Sequence, residues 1–255
     1  MIVRMKYTKE DSAIFLSHLD MVRLFERSFR RAEIPMAFTQ GFNPHPIMSF
    51  AAPLSLGNSS IAEYVDIHLA VEVDLEEFLQ RMRHILPKGI RVLKAAIMKE
   101  EKPASLMKEA AVMMYQVIVT SKEALNPVKE RERLTAFLEQ ESIIIDKKTK
   151  EKTRRQFQAN RVKTKKVDIL PLIRSLDIID IHDNQIIFKI AVNVLNSGTV
   201  KPAIVLQKWF SFVNLSSDYS IKSICRTEIF RWKNDRLEPI LQSNNLSGNL
   251  GEAGK

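Results

Sequence analysis

Two periodicities alternate along this chain of 255 residues, and their order restricts the fold more than any single residue does. Alternating residues over Val3–Tyr7 read as a strand. Ser17-His18-Leu19-Asp20 then opens a helix. Ser17 stands at the N-cap, a carboxylate follows three residues on, and its charge suits the positive end of the helix dipole. The helix runs to about Ala32, with Leu19, Val22, Phe25, Phe29 and Ala32 on one face, and Pro35 stops it. Met36–Phe38 is a short strand. Glu63–Leu69 is a half-buried one, with Tyr64, Asp66 and His68 opposed to Val65, Ile67 and Leu69. Leu75–Leu86 is a second amphipathic helix, closed by Pro87-Lys88-Gly89, and Ile90–Ile97 is a further strand.

The order β-α-β-β-α-β is the ferredoxin-like split βαβ arrangement. After the charged, proline-containing stretch Lys99–Lys108 the order starts again: strand Met113–Val119, helix Lys129–Glu139, strand Ile143–Asp146, a basic segment, strand Gln185–Val194, helix Pro202–Phe212 and strand Ser220–Trp232. The expected fold is α+β, with two ferredoxin-like (βαββαβ) domains whose antiparallel sheets carry helices on one face. Residues 1–98 form the first domain, 99–111 a linker, and 112–242 the second domain with a basic insertion at 147–166. The Gly- and Asn-rich tail 243–255 is expected to be disordered. No stretch reaches the roughly 18 apolar residues of a spanning helix, and the N-terminus reads as a strand. A cytoplasmic protein is expected.

Charge is concentrated. The formal net charge is +9, and the window Lys147–Lys166 alone carries +9: Lys147, Lys148, Lys150, Lys152, Arg154, Arg155, Arg161, Lys163, Lys165 and Lys166 against Glu151. A second basic face, Arg23, Arg27, Arg30 and Arg31, recurs at helical spacing on the first helix. Such a pattern suits a polyanion and predicts steeply salt-dependent binding. Phe157 is the only aromatic in the window, so base stacking is not the signal there. The bland alternative is a solvated hairpin. Lys201, before the Pro202 helix, and Arg226 complete the candidate phosphate contacts; Arg226 needs a partner if it faces inward.

Two polar clusters flank the first helix. Ser17, His18 and Asp20 open it, and the loop Gln40-Gly41-Phe42-Asn43-Pro44-His45-Pro46 follows it. Two prolines and Gly41 make that loop stiff and sharply turned. With one ring (Phe42) and one amide (Asn43) it suits a planar ligand such as a nucleobase. Ser17, His18, Asp20, Gln40, Gly41, Phe42, Asn43 and His45 are the candidate pocket. His18, Asp20 and His45 form a conceivable metal site without motif spacing behind it. A plain helix cap accounts for Ser17 and Asp20 but not for His18. The lone Cys225 holds neither a disulfide nor an iron–sulfur cluster by itself, and reads as a small buried residue. A phosphate loop, a dinucleotide fingerprint, Gly-x-Ser-x-Gly and His-Glu-x-x-His are all missing, so no catalytic set is established.

Phe15–Asp20, Gln40–Pro46, Ser49-Phe50-Ala51, Pro53–Gly57, Glu63–Asp66, Val167-Asp168-Ile169, Leu170–Ile173 and Arg226-Thr227-Glu228 resemble, in this order, the radical-SAM-linked protein family. This is a bacterial domain of unknown function found beside or fused to radical SAM proteins with cobalamin-binding-type domains. The resemblance implies an accessory role, with a radical SAM partner carrying the iron–sulfur cluster and S-adenosylmethionine, and no cofactor on this chain. The expectation is a non-catalytic RNA-binding or substrate-presenting module for tRNA or ribosomal RNA. One alternative is an endoribonuclease using His18 as general acid–base group, by loose architectural resemblance to CRISPR repeat-processing endoribonucleases. Another is a protein–protein adaptor for the radical SAM enzyme.

Overall fold

The computed structural model describes residues 1–99, 103–150 and 162–241, with backbone alone at 148–150, 162 and 163. In chain order the first elements are β1 (Ile2–Lys9), α1 (His18–Arg31), β2 (Met48–Phe50), β3 (Ser59–His68), α2 (Leu75–Ile85), β4 (Val92–Ile97), α3 (Leu106–Glu109) and β5 (Val112–Ser121). Then come α4 (Pro127–Leu138), β6 (Ile144–Lys150), β7 (Val162–Asp168), β8 (Ile173–His182), β9 (Gln185–Asn193), α5 (Pro202–Phe212), β10 (Tyr219–Lys233) and β11 (Arg236–Pro239). The chain is thus mixed α+β, with mostly antiparallel strand pairs and five α-helices among the described residues. It divides into two compact units: Met1–Tyr115 with Ser223–Lys255, and Gln116–Lys222.

In the first unit β1 pairs antiparallel with both β3 and β4, and β2 lies antiparallel on the other edge of β3. β10 meets the start of β3 in parallel, Cys225 opposite Ser59 and Arg226 opposite Ser60. Helices α1 and α2 pack their apolar stripes on this sheet. Met21, Phe25, Phe29 and Ala32 of the first helix meet Phe78, Leu79 and Met82 of the second over Val3, Met5, Val65 and Ile67. Phe25 anchors the layer, edge-on to Tyr7 at 4.9 Å and stacked with Phe29 at 5.7 Å. The buried stripe therefore starts at Met21, whereas Leu19, expected on that face, is exposed. Arg81 of α2 donates to the carbonyls of Ala32 and Glu33 and so satisfies the end of α1.

Strand β3 departs from the half-buried pattern, because both of its faces are covered: Tyr64 and Asp66 are as buried as Val65 and Ile67. The polar side chains tolerate this because each has a partner. Arg4 donates to both Asp66 oxygens, at 2.7 and 2.8 Å, and to both Glu109 oxygens, at 2.8 and 2.7 Å. Burial opposes the charge on Arg4, but the two carboxylates overcome that cost and hold its pKa above the ordinary value. Tyr64 donates to Glu228, which also pairs with Lys6 at 2.7 Å. Glu109 belongs to α3, inside the stretch expected as a linker; Leu106 of the same helix is fully buried. The strand expected at Met36–Phe38 is reduced to isolated bridges, Met36 to Leu69 and Phe38 to Pro46.

In the second unit β5, β9 and β8 are neighbours in that order. Thr120 and Ser220 link β5 to the first residues of β10. Trp209 of α5 is fully buried, stacked on Tyr219 and edge-on to Phe188. α4 touches α5 through Phe137 and Phe212. Asn126 caps α4 on the N–H groups of Val128 and Lys129. Between α4 and β8 stands a separate two-stranded ribbon, β6–β7.

Candidate functional site

Helix α1 begins with a complete capping box. Ser17 Oγ accepts from the Asp20 N–H at 3.2 Å, and Asp20 Oδ2 accepts from the Ser17 N–H at 3.0 Å and from its hydroxyl at 2.6 Å. These bonds, the hydroxyl's first, hold the Asp20 carboxyl below the usual range. Ser17 and Asp20 are thus occupied with each other. His18 is exposed, its ring edge-on to Phe50 at 5.3 Å.

That ring forms part of the rim of a cleft in the first unit, lined by Tyr7, Lys9, His18, Met21, Phe50, Ala51, Pro53, Leu54 and Glu63. The cleft offers about 20 Å³ of water-sized space, room for roughly one water molecule. Lys9 is buried, and its Nζ donates to the Leu16 carbonyl at 2.8 Å. Burial pulls the Lys9 pKa below the ordinary lysine value, with Glu63 opposing the shift. Burial also pushes the Tyr7 phenol well up, and the Glu63 charge adds to it.

Behind Glu63 stands Arg226. Its Nη1 lies 3.1 Å from Glu63 Oε1, yet its hydrogens go elsewhere: Nη1 donates to the Ala52 carbonyl at 2.8 Å, and Nη2 to that of Pro53 at 3.2 Å. Glu63 Oε1 and Arg226 Nε are consequently buried without a hydrogen-bond partner among the described residues. Burial opposes the Arg226 charge, and Glu63, Tyr115 and Tyr7 together outweigh it, so its pKa stays above the ordinary value. Arg226 is 1% exposed, so it faces inward, with Glu63 as its charge partner.

The remaining candidates lie apart from this cleft's lining. Gln40, Gly41, Phe42, Asn43 and His45 form the exposed tip of a hairpin closed by Thr39 and His45, whose main chains bond at 2.9 Å. Thr39 Oγ1 also accepts from the His45 N–H at 3.0 Å. Gly41 sits at φ +125°, a conformation that L side chains rarely adopt. Phe42 is fully exposed at this tip. Among the described residues no group of three or more His, Cys, Asp or Glu side chains is arranged to hold a metal ion, so His18, Asp20 and His45 do not form one.

Arg23, Arg27, Arg30 and Arg31 are all exposed on α1, and none makes a side-chain hydrogen bond or ion pair among the described residues. Of the basic window, Arg154, Arg155 and Arg161 lie outside the described residues. Lys163, Lys165 and Lys166 lie on β7, opposite Thr149, Lys147 and Asp146 of β6. Lys147 and Lys165 are both exposed and directly opposed across the ribbon. Lys201 is exposed at the start of α5 and makes no cap bond. Cys225 is half-buried.

A family model described as an uncharacterized protein conserved in bacteria (DUF2344) matches residues 3–202. The chain belongs to that family. The DUF2344 match spans every residue lining the cleft, α1 and the β6–β7 ribbon. No curated protein matches the chain. Among solved structures it is similar to a chain of a Cbf5-Nop10-Gar1 complex, at 10% identity and a TM-score of 0.44 over 89% of this chain and 48% of that one. A chain of an H/ACA RNP bound to a substrate RNA containing 2'-deoxyuridine matches at 8% identity and a TM-score of 0.44, over 89% and 47%. A chain of an archaeal box H/ACA sRNP Nop10-Cbf5 complex matches at 10% and 0.43, over 88% and 46%. The chain spans about half the length of these relatives. Likeness at this level carries no argument about function.

Sequence reasoning missed Tyr7 and Lys9. Both lie on β1, where a tyrosine reads as core and a terminal lysine as solvated; nothing local signals that a carboxylate from β3 stands beside them.

Proposed function

We propose that this DUF2344 protein is an accessory RNA-binding or substrate-presenting protein for a structured RNA such as tRNA or ribosomal RNA, working with a radical SAM enzyme. The observation that carries the reading is the set of exposed cations on α1 that make no side-chain hydrogen bond or ion pair among the described residues: Arg23, Arg27, Arg30 and Arg31. Four arginines on one short helix repel one another, and neutralising phosphates relieves that repulsion while releasing counterions. The ribbon repeats the logic independently. Lys147 directly opposite Lys165 is a destabilising like-charge pair in a sheet, and a polyanion compensates it. The exposed Phe42 on a stiff loop supplies a stacking surface of the kind single-stranded bases use.

The radical SAM partnership rests on the motif resemblance, and any iron–sulfur cluster and S-adenosylmethionine would belong to that partner. We also read each half as ferredoxin-like. In the first, β4, β1, β3 and β2 pair in that order, all antiparallel. In the second, β10, β5, β9 and β8 follow one another, with β6–β7 inserted after α4.

The test is sequencing of RNA that co-purifies at low salt with the full chain and with a variant lacking Lys147–Lys166. One enriched RNA, diminished in the variant, is expected. Nothing above background would overturn RNA binding and leave the adaptor role.

A further inference from the structure

Glu63 is a carboxylate in an unusual position. It is 7% exposed, it lines the cleft, and it accepts no hydrogen bond among the described residues. Buried carboxylates ordinarily collect donors, since each unmet oxygen keeps its full desolvation cost. Three candidate donors stand around it and none donates to it. Arg226 is turned to Ala52 and Pro53, and Lys9 to the Leu16 carbonyl. Tyr7, 3% exposed, makes no hydrogen bond through its hydroxyl among the described residues. The cleft therefore offers an acceptor (Glu63), an ammonium with donors to spare (Lys9) and a phenol able to do either (Tyr7).

The walls add a second constraint. Phe50, Pro53, Leu54 and Met21 are apolar, so the lining combines apolar side chains with the polar groups of Tyr7, Lys9 and Glu63. Charge adds a third. Lys9 and Arg226 outnumber Glu63, which disfavours a cationic ligand, and the carboxylate lining the cleft disfavours an anionic end. A neutral group with a donor beside an acceptor fits both. With room for about one water molecule, the cleft admits an edge of such a group and leaves the rest of its ring over the lining residues.

We propose that this cleft is a binding site for the hydrogen-bonding edge of a nucleobase, with its N–H donating to Glu63, its adjacent acceptor taking bonds from Lys9 and the Tyr7 hydroxyl, and its ring held against Phe50 and Pro53. The base comes either from a free nucleotide or from an unstacked position in RNA. The latter source deepens the RNA reading and rests on it; the former does not. The site differs from the Gly41 loop, none of whose tip residues lines it.

The experiment is calorimetric titration of the full chain with each of the four ribonucleoside monophosphates and with single-stranded oligoribonucleotides. N-methylated bases that lack the donor serve as controls. The chain is compared with Y7F, which keeps the ring on Phe25, and E63Q, which keeps the shape of the side chain. Saturable binding of at least one base is expected, weakened tenfold or more by methylation of its edge, by E63Q, and by Y7F at unchanged melting temperature. Binding by monophosphates assigns a free nucleotide, and binding by oligonucleotides alone assigns RNA. No binding of either probe, or equal binding of the methylated base, overturns the site. Salt-dependent RNA binding that persists unchanged in Y7F and E63Q would overturn the cleft while leaving the basic surfaces intact.

Discussion

Arg226 Nη1 lies 3.1 Å from Glu63 Oε1, but its two hydrogen bonds among the described residues go to the carbonyls of Ala52 and Pro53. The pair is thus electrostatic, and Arg226 acts as the strut that holds the 50–54 segment beside β3. Replacing Arg226 by Met removes the strut and leaves Glu63 buried without a countercharge at its back. That change is expected to cost about 3–5 kcal/mol in urea unfolding. E63Q keeps both carbonyl bonds and is expected to cost clearly less. Equal stability of the Arg226→Met variant and the parent would contradict the assignment.

A second buried arginine predicts the acid limb of stability. Burial raises the Glu109 carboxyl, but the hydrogen bonds and charge of Arg4, and then of Arg231, outweigh it, so its folded pKa stays below the ordinary value. A depressed carboxyl contributes stability that is complete above its unfolded pKa, about 4.3, and lost as pH falls through the lower folded value. Stability of the parent should therefore fall on acidification below about pH 5. E109Q should start less stable at neutral pH and fall less steeply. Parallel curves for the two proteins would refute this.

Gly89 provides a test of close packing. It turns the chain between α2 and β4 at φ +88°, and an added Cβ would sit 2.3 Å from the Glu10 carbonyl oxygen. The left-handed conformation alone costs a non-glycine residue about 1–2 kcal/mol. Gly89→Ala is expected to lose more than this, because the obstacle is main chain. Thermal melting at neutral pH measures it; a variant within about 0.5 kcal/mol of the parent would show that the turn relaxes freely.

Much of the scaffold was legible because its signals are local. The Ser17–Asp20 capping box, the Pro202 start of α5 and the two helical stripes are written within single turns of chain. No strand is expected from the sequence at β2, β7, β8 or β11, and β8 explains why. Its pairing with β9 slips at Ile173–Ser175 and at Ile178–Asp180, so bulges break the period-two pattern that marks a strand. The inward face of β3 was misjudged because Asp66 and Tyr64 look solvated until Arg4 and Glu228 are placed beside them. The cleft was half visible. His18 and Phe50 stood in motifs, whereas the roles of Tyr7, Lys9 and Glu63 depend on neighbours brought in from other strands. Arg226 was identified as a charge needing a partner, and only the fold supplies Glu63.

The most direct measurement of the central claim is the affinity of the purified chain for a structured RNA across about 50–300 mM salt, with the parent and with Arg23→Ala/Arg27→Ala. Log affinity is expected to fall linearly with log salt. The double variant is expected to bind more weakly, with a slope shallower by roughly 0.7–0.9 for each phosphate no longer neutralised. Affinity that does not change over this range, or a double variant that matches its parent in both affinity and slope, would contradict RNA binding through α1.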